Sequence, residues 1–134
     1  MATHWQTYRG GPTKAPVEVV NISINDKHVI TFNRRAVKLL GEPEAAVMLF
    51  DGKNSIIGLT PSNRRNPEAF PLLRKNSHNW IINAAPFCRH FNISVERTER
   101  FVDPELDDEA ILRLDLRRTV NVSLKKGRSQ KATG

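Results

Sequence analysis

The sequence predicts an α+β, β-rich fold built from two tandem β-α-β-β pseudo-repeats. Two stretches about 51 residues apart share the order turn, strand, short helix, strand, strand. The first copy runs Ile24-Asn-Asp-Lys-His-Val-Ile-Thr-Phe, then Asn33-Arg-Arg-Ala-Val-Lys-Leu-Leu-Gly41, then the apolar runs Ala46 to Phe50 and Ser55 to Leu59. The second runs Lys75-Asn-Ser-His-Asn-Trp-Ile-Ile-Asn, then Ala84-Ala-Pro-Phe-Cys-Arg-His-Phe-Asn92, then Thr98 to Val102 and Ala110 to Leu116. Asn25/Asn76, Ile30/Ile81 and Phe50/Phe101 match outright, while Val37/Cys88, Lys38/Arg89, Leu40/Phe91, Ile57/Leu112 and Leu59/Leu114 match in character. A unit too small to bury its own apolar face gains a core by packing on its copy, in a barrel or a sandwich of two halves.

Each element has a local reason. Val17 to Ile24 alternates, with Val20, Ile22 and Ile24 on one face and Asn21 and Ser23 on the other, which is strand periodicity. Asn25-Asp-Lys27 is a tight turn returning into Val29 to Phe32. Asn33 suits a helix N-cap, and Gly41 followed by Pro43 stops the helix 34–40. In that helix Ala36, Val37 and Leu40 turn inward, and Arg34, Arg35 and Lys38 turn outward. Asp51-Gly-Lys-Asn54 joins two apolar runs as a hairpin. Residues 62–71, rich in Pro, Asn and Arg, read as a linker without regular structure. The second helix begins near Ala84-Ala-Pro86, where proline fits the first turn. Asp103 to Asp108 is a longer acidic loop, and Leu112 to Leu124 keeps period two except at Arg118. That stretch is one long strand or two strands bent at Arg117-Arg118. The organisation expected is a flexible arm (1–16), one domain (17–124; repeats 17–61 and 72–124 around the linker) and a basic disordered tail (125–134).

Charge is sorted along the chain. The net charge of +7 divides into +6 on residues 1–102, −5 on 103–116 and +6 on 117–134. Clustered positive charge fits a polyanion, of which nucleic acid is the commonest. No apolar run approaches the roughly 18 residues of a membrane span, and the first residues lack the apolar core of a secretory signal. A single cysteine, Cys88, has no disulfide partner within the chain and reads as a small core residue. A cytoplasmic protein without membrane contact is expected. His4, His28, His78 and His90 show no metal spacing, Cys88 and His90 point to different faces of one helix, and no phosphate-cradling loop or nucleophile elbow occurs. The expectation is therefore no enzyme, no catalytic residue, no metal and no cofactor.

The stretch Lys27-His-Val-Ile-Thr-Phe-Asn-Arg-Arg-Ala-Val-Lys-Leu-Leu-Gly41 resembles the swapped-hairpin module of the AbrB-type and MraZ-type bacterial DNA-binding regulators, one residue longer than their pattern. MraZ-type proteins also carry the unit twice per chain. Residues 20–60 carry the resemblance well and 72–116 loosely; Phe32-Asn33 replaces the family's Ile-Pro, His28 stands where arginine is common, and the second copy lacks a Gly-Arg turn. The chain is also similar to uncharacterised bacterial proteins with Asn-Arg-Arg-Ala and Leu-Gly-x-Pro-Glu-Ala-Val patterns. The resemblance implies one swapped-hairpin-like barrel, transcription regulation and duplex DNA as the partner, with a homodimer or higher oligomer as a further partner state. The positions matching the family's contacts are Lys27, His28, Arg34, Arg35 and Lys38. Arg34 and Arg35 stand at a helix start, where cations oppose the macrodipole, and that misfit favours a binding role. Arg64 and Arg65 in the linker, Arg74 and Lys75 before the second turn, and Lys125, Lys126 and Arg128 in the tail complete the nucleic-acid-binding set. The alternative from another class is a protein-interaction or self-assembly module that binds no nucleic acid.

Overall fold

A computed structural model describes residues 3–6 and 19–122. Its elements in chain order are β1 (Ile22–Ile24), β2 (Val29–Asn33), α1 (Arg34–Leu40), β3 (Ala45–Asp51), β4 (Ile56–Ser62), β5 (Phe70–Pro71), β6 (Leu73–Arg74), β7 (Asn79–Asn83), α2 (Ala85–His90), β8 (Glu99–Phe101), β9 (Glu105–Leu106), β10 (Leu112–Asp115) and β11 (Thr119–Asn121). Two antiparallel sheets result, ordered β11-β8-β1-β2-β7-β6 and β5-β3-β4-β10-β9, so the fold is α+β and β-rich. Among the described residues no helix is long and apolar enough to cross a membrane.

Alternation drives the sheets. Ile22, Ile24, Ile30, Phe32, Ile57, Leu59, Ile82, Phe101, Leu112 and Leu114 are all buried, contributed by strands of both sheets. They join Ala36, Val37 and Leu40 of α1 and Phe87 and Cys88 of α2 in one cluster fed by both halves of the chain. Free energy follows the apolar area removed from water, and neither hairpin pair alone could cover its inner face.

Asn33 holds α1 in place three ways. Its Oδ1 accepts from the Ala36 amide at 2.9 Å and the Asn21 amide at 3.1 Å, and its Nδ2 donates to the Val19 carbonyl at 2.7 Å. Asn33→Ala leaves those groups to water and is expected to cost about 2 kcal/mol, at the upper end of cap losses; urea denaturation read by circular dichroism checks it. At the other end Gly41 has φ of 100°, a left-handed conformation that disfavours side chains. Its amide donates to the Lys38 carbonyl, and the Glu42 amide to the Val37 carbonyl. Helix α2 closes alike, with Asn92 at φ 57°, its amide on the Arg89 carbonyl and the Ile93 amide on the Cys88 carbonyl.

Three expectations change, and one open alternative closes. The predicted linker 62–71 is partly strand: β4 runs to Ser62, and β5 pairs Ala45↔Pro71 and Ala46↔Phe70 with β3. A Pro-rich run reads as irregular because proline cannot donate, yet at a sheet edge that donor is not needed. The first strand begins at Ile22, with residues 17–18 of its expected span outside the described residues. In the first half β3 and β4 form a hairpin, whereas their counterparts part company: β8 pairs with β1 and β11, and β10 with β4 and β9. The acidic loop is the reason, since β9 within it folds back on β10 and Asp107 ties its far end through the Glu109 and Ile111 amides. Of the two readings for residues 112–124, the bent pair is found over the described residues 112–122, as β10 and β11. The Asp115 carboxylate makes the bend by accepting from the Arg117 amide at 2.9 Å.

Two runs touch both sheets. Residues 70–74 pair with β3 through β5 and with β7 through β6. Residues 112–121 pair with β4 through β10 and with β8 through β11.

Candidate nucleic-acid interface

Helix α1 leaves β2 without a connecting loop, so the first outward side chains after the strand are Arg34 and Arg35, both exposed. Strand β7 lies antiparallel beside β2, with Phe32↔Trp80 and Asn33↔Asn79 at this end. That register delivers the turn between β6 and β7 to the start of α1. Asn76 shapes the turn by accepting from the His78 amide at 2.8 Å and the Asn79 amide at 2.9 Å, and Lys75 N–H donates to the Asn79 carbonyl at 2.8 Å. Asn25 does the same work in the first turn, accepting from the Lys27 and Val29 amides, both at 2.9 Å.

Two guanidiniums from different halves meet on this turn. Arg34 Nη2 donates to the Ser77 carbonyl at 3.1 Å, and Arg74 Nε donates to the adjacent Asn76 carbonyl at 3.1 Å. The Arg74 guanidinium also lies 5.4 Å over the Trp80 ring, where the ring's negative face holds a cation. Each bond uses one of five donors on its guanidinium, so both groups are positioned by the protein and still present N–H groups outward. Arg35, Lys38 and Lys75 are exposed around them, and neither 33–41 nor 73–83 contains an acid. Among the described residues the ion pairs are Arg113–Asp107 at 3.9 Å and Arg118–Asp103 at 3.6 Å, and neither draws on these cations.

The remaining predicted residues are distributed otherwise. Lys27 and His28 lie at the opposite end of β2, where the His28 carbonyl accepts from the Ala84 amide at 2.9 Å. The five-residue strand between them, at about 3.3 Å per residue step, separates His28 from Arg34 by roughly 20 Å, and Lys27 by one step more. His28 has φ of 63°, is half-buried and encloses its Nε2 without a hydrogen-bond partner, so that nitrogen is turned inward and not toward a phosphate. Arg64 and Arg65 are exposed on the turn after β4, which the Glu44 carboxylate binds through the Arg64 amide at 3.2 Å. Lys125, Lys126 and Arg128, with the rest of the tail, lie outside the described residues, as do residues 7–16 of the arm.

Trp80, Asn76 and Ser77 are the contributors that sequence reasoning passed over. Their signal was faint: Arg74 and Trp80 become cross-strand neighbours only if the turn between them is tight, and Asn76 matches Asn25 at an offset of 51 residues.

Cys88 is fully buried, and burial pushes its thiol up to about 11, so it is neutral at physiological pH and packs as a core side chain. Among the described residues no group of three or more His, Cys, Asp or Glu side chains is placed to hold a metal ion. Comparison with protein-family models, with curated proteins and with solved structures finds no match to this chain.

Proposed function

We propose that this chain is a small DNA-binding protein of the transcription-regulatory kind, gripping duplex DNA with Arg34, Arg35 and Lys38 of α1 and with Arg74 and Lys75 of the facing turn. The observation that carries the reading is the pair of guanidiniums braced on the adjacent Asn76 and Ser77 carbonyls, without a carboxylate in either segment. Side chains already ordered lose less entropy on meeting phosphates, and arginine offers two parallel donors to a phosphate or to guanine.

The same reading takes the chain as two tandem repeats closing one swapped-hairpin-like barrel, in the manner of the AbrB-type and MraZ-type regulators. The 51-residue offset supports it. Helices start at Arg34 and Ala85, and their closing amides stand on Lys38 and Val37 in one, on Arg89 and Cys88 in the other. The β2–β7 ladder exchanges with itself under that offset, Val29↔Asn83 turning into Phe32↔Trp80. Runs 70–74 and 112–121, each pairing in both sheets, supply the two corners at which such a barrel would close.

Fluorescence anisotropy of a labelled duplex tests the function. Five cationic contacts set a log–log salt slope near −4.5, so affinity should fall by about 10² to 10³ between about 50 and 200 mM salt. Absence of binding at the low-salt end, with a defined oligomer in sedimentation, would replace this reading with the assembly module.

A further inference from the structure

A cleft of about 600 Å³ opens where the β3–β4 turn, the segment after α2 and the β8–β11 pair converge. Its size falls within the ~300–1,000 Å³ usual for small-ligand sites. None of the cations assigned to DNA lines it.

The cleft arises where the two halves diverge. After Gly41 the first half enters β3 at Ala45; after Asn92 the second does not enter β8 until Glu99. Ser94, Val95 and Glu96 of that longer crossing line the cleft. One wall is aromatic: Phe50 and Phe91 stand 5.0 Å apart, Phe87 backs Phe91 at 5.0 Å, and Phe91 is 41% exposed. Such exposure leaves a large apolar ring facing the cleft's solvent. Two carboxylates, Glu96 and Glu99, also line the cleft, and the Thr119 hydroxyl fixes Glu99 by donating to its Oε1 at 2.9 Å. Arg117 also lines the cleft, with its Nη2 donating to the Lys53 carbonyl at 3.1 Å; it remains charged, so the lining sets two carboxylates against one guanidinium and is net negative.

We infer that this cleft binds a small organic ammonium with an apolar body. The body lies on Phe50 and Phe91, and the ammonium sits between ring faces and the Glu96 and Glu99 carboxylates. Aromatic faces and carboxylates both attract a cation and both repel an anion, so the rings and the two carboxylates favour the same charge and outweigh the single Arg117 guanidinium. The site is separate from the proposed DNA surface and does not depend on it.

Phenethylamine, phenethyl alcohol and phenylacetate share one body and differ in charge. Each is titrated into the isotope-labelled full chain while amide shifts are followed by NMR. Phenethylamine should move Ser94, Glu96 and Glu99 saturably, about tenfold tighter than the alcohol. Phenylacetate should leave them in place, and the E96Q/E99Q variant should bind amine and alcohol alike. Phenylacetate binding as tightly as the amine, silence with all three, or an amine preference that survives in the variant would each overturn the inference. Duplex DNA moving these same amides would overturn it too, by making the cleft part of the nucleic-acid surface.

Discussion

Replacing Arg34 and Arg35 together with glutamate should weaken duplex DNA binding at low salt by at least about 100-fold, to the point of abolishing it in a gel-shift. Each replacement removes a cation and installs an anion, so the five-cation face loses four units of charge at its centre. The bond from Arg34 to the Ser77 carbonyl is lost as well. Unfolding would not explain the loss. Both side chains are exposed in the first turn of α1, which holds no acid, and acids there favour the helix macrodipole by about 0.3–1 kcal/mol each. Thermal melting should therefore be unchanged or slightly raised. Lys27→Glu provides the contrast, since Lys27 stands at the other end of β2 and should cost much less affinity. An equal loss in both variants would mean that the face runs along β2 and includes the first turn.

Phe32→Ala should lower folding stability by about 3–5 kcal/mol, as large aromatic truncations in closed cores do. Phe32 is fully buried on β2, paired with Ile22 on one side and Trp80 on the other, so no neighbour is free to fill the space. Phe101→Ala, at 1% exposure on β8, should cost a similar amount. Because residues from both halves share one buried cluster, each variant should unfold in a single transition shifted as a whole. The measurement is guanidinium denaturation followed by both fluorescence and circular dichroism. A loss near 1 kcal/mol, or two separate transitions, would mean that the halves keep separate cores. Against a total of about 5–15 kcal/mol for a typical domain, the full loss leaves little reserve.

Helix 34–40 was legible to the residue because everything that makes it is local. Asn33 caps, the 3.6-residue spacing of Ala36, Val37 and Leu40 sets the inner face, and Gly41 takes the left-handed turn. The β3–β4 hairpin was legible for the same reason, with Asp51 accepting from the Lys53 and Asn54 amides inside the turn. Hydrogen bonds from the Asn54 side chain and amide hold the Asp51 carboxyl below its usual range. Strand β5 was not legible. Phe70–Pro71 is a strand only because β3 lies beside it, and nothing within residues 62–71 announces that partner.

The candidate site divides along the same line. That Arg34, Arg35 and Lys38 project outward follows from helical periodicity, and so belongs to the sequence alone. Which turn they join does not. The first turn precedes Arg34 closely along the chain, yet β2 carries it away, while the antiparallel β2–β7 register brings Arg74 and Lys75 across from forty residues downstream. Sequence by itself determined the caps, the turns and the inward and outward faces, because those depend on φ, ψ and neighbours within four residues. Tertiary structure alone decided which faces meet, because strand pairing and burial are settled between distant segments that compete for the same core.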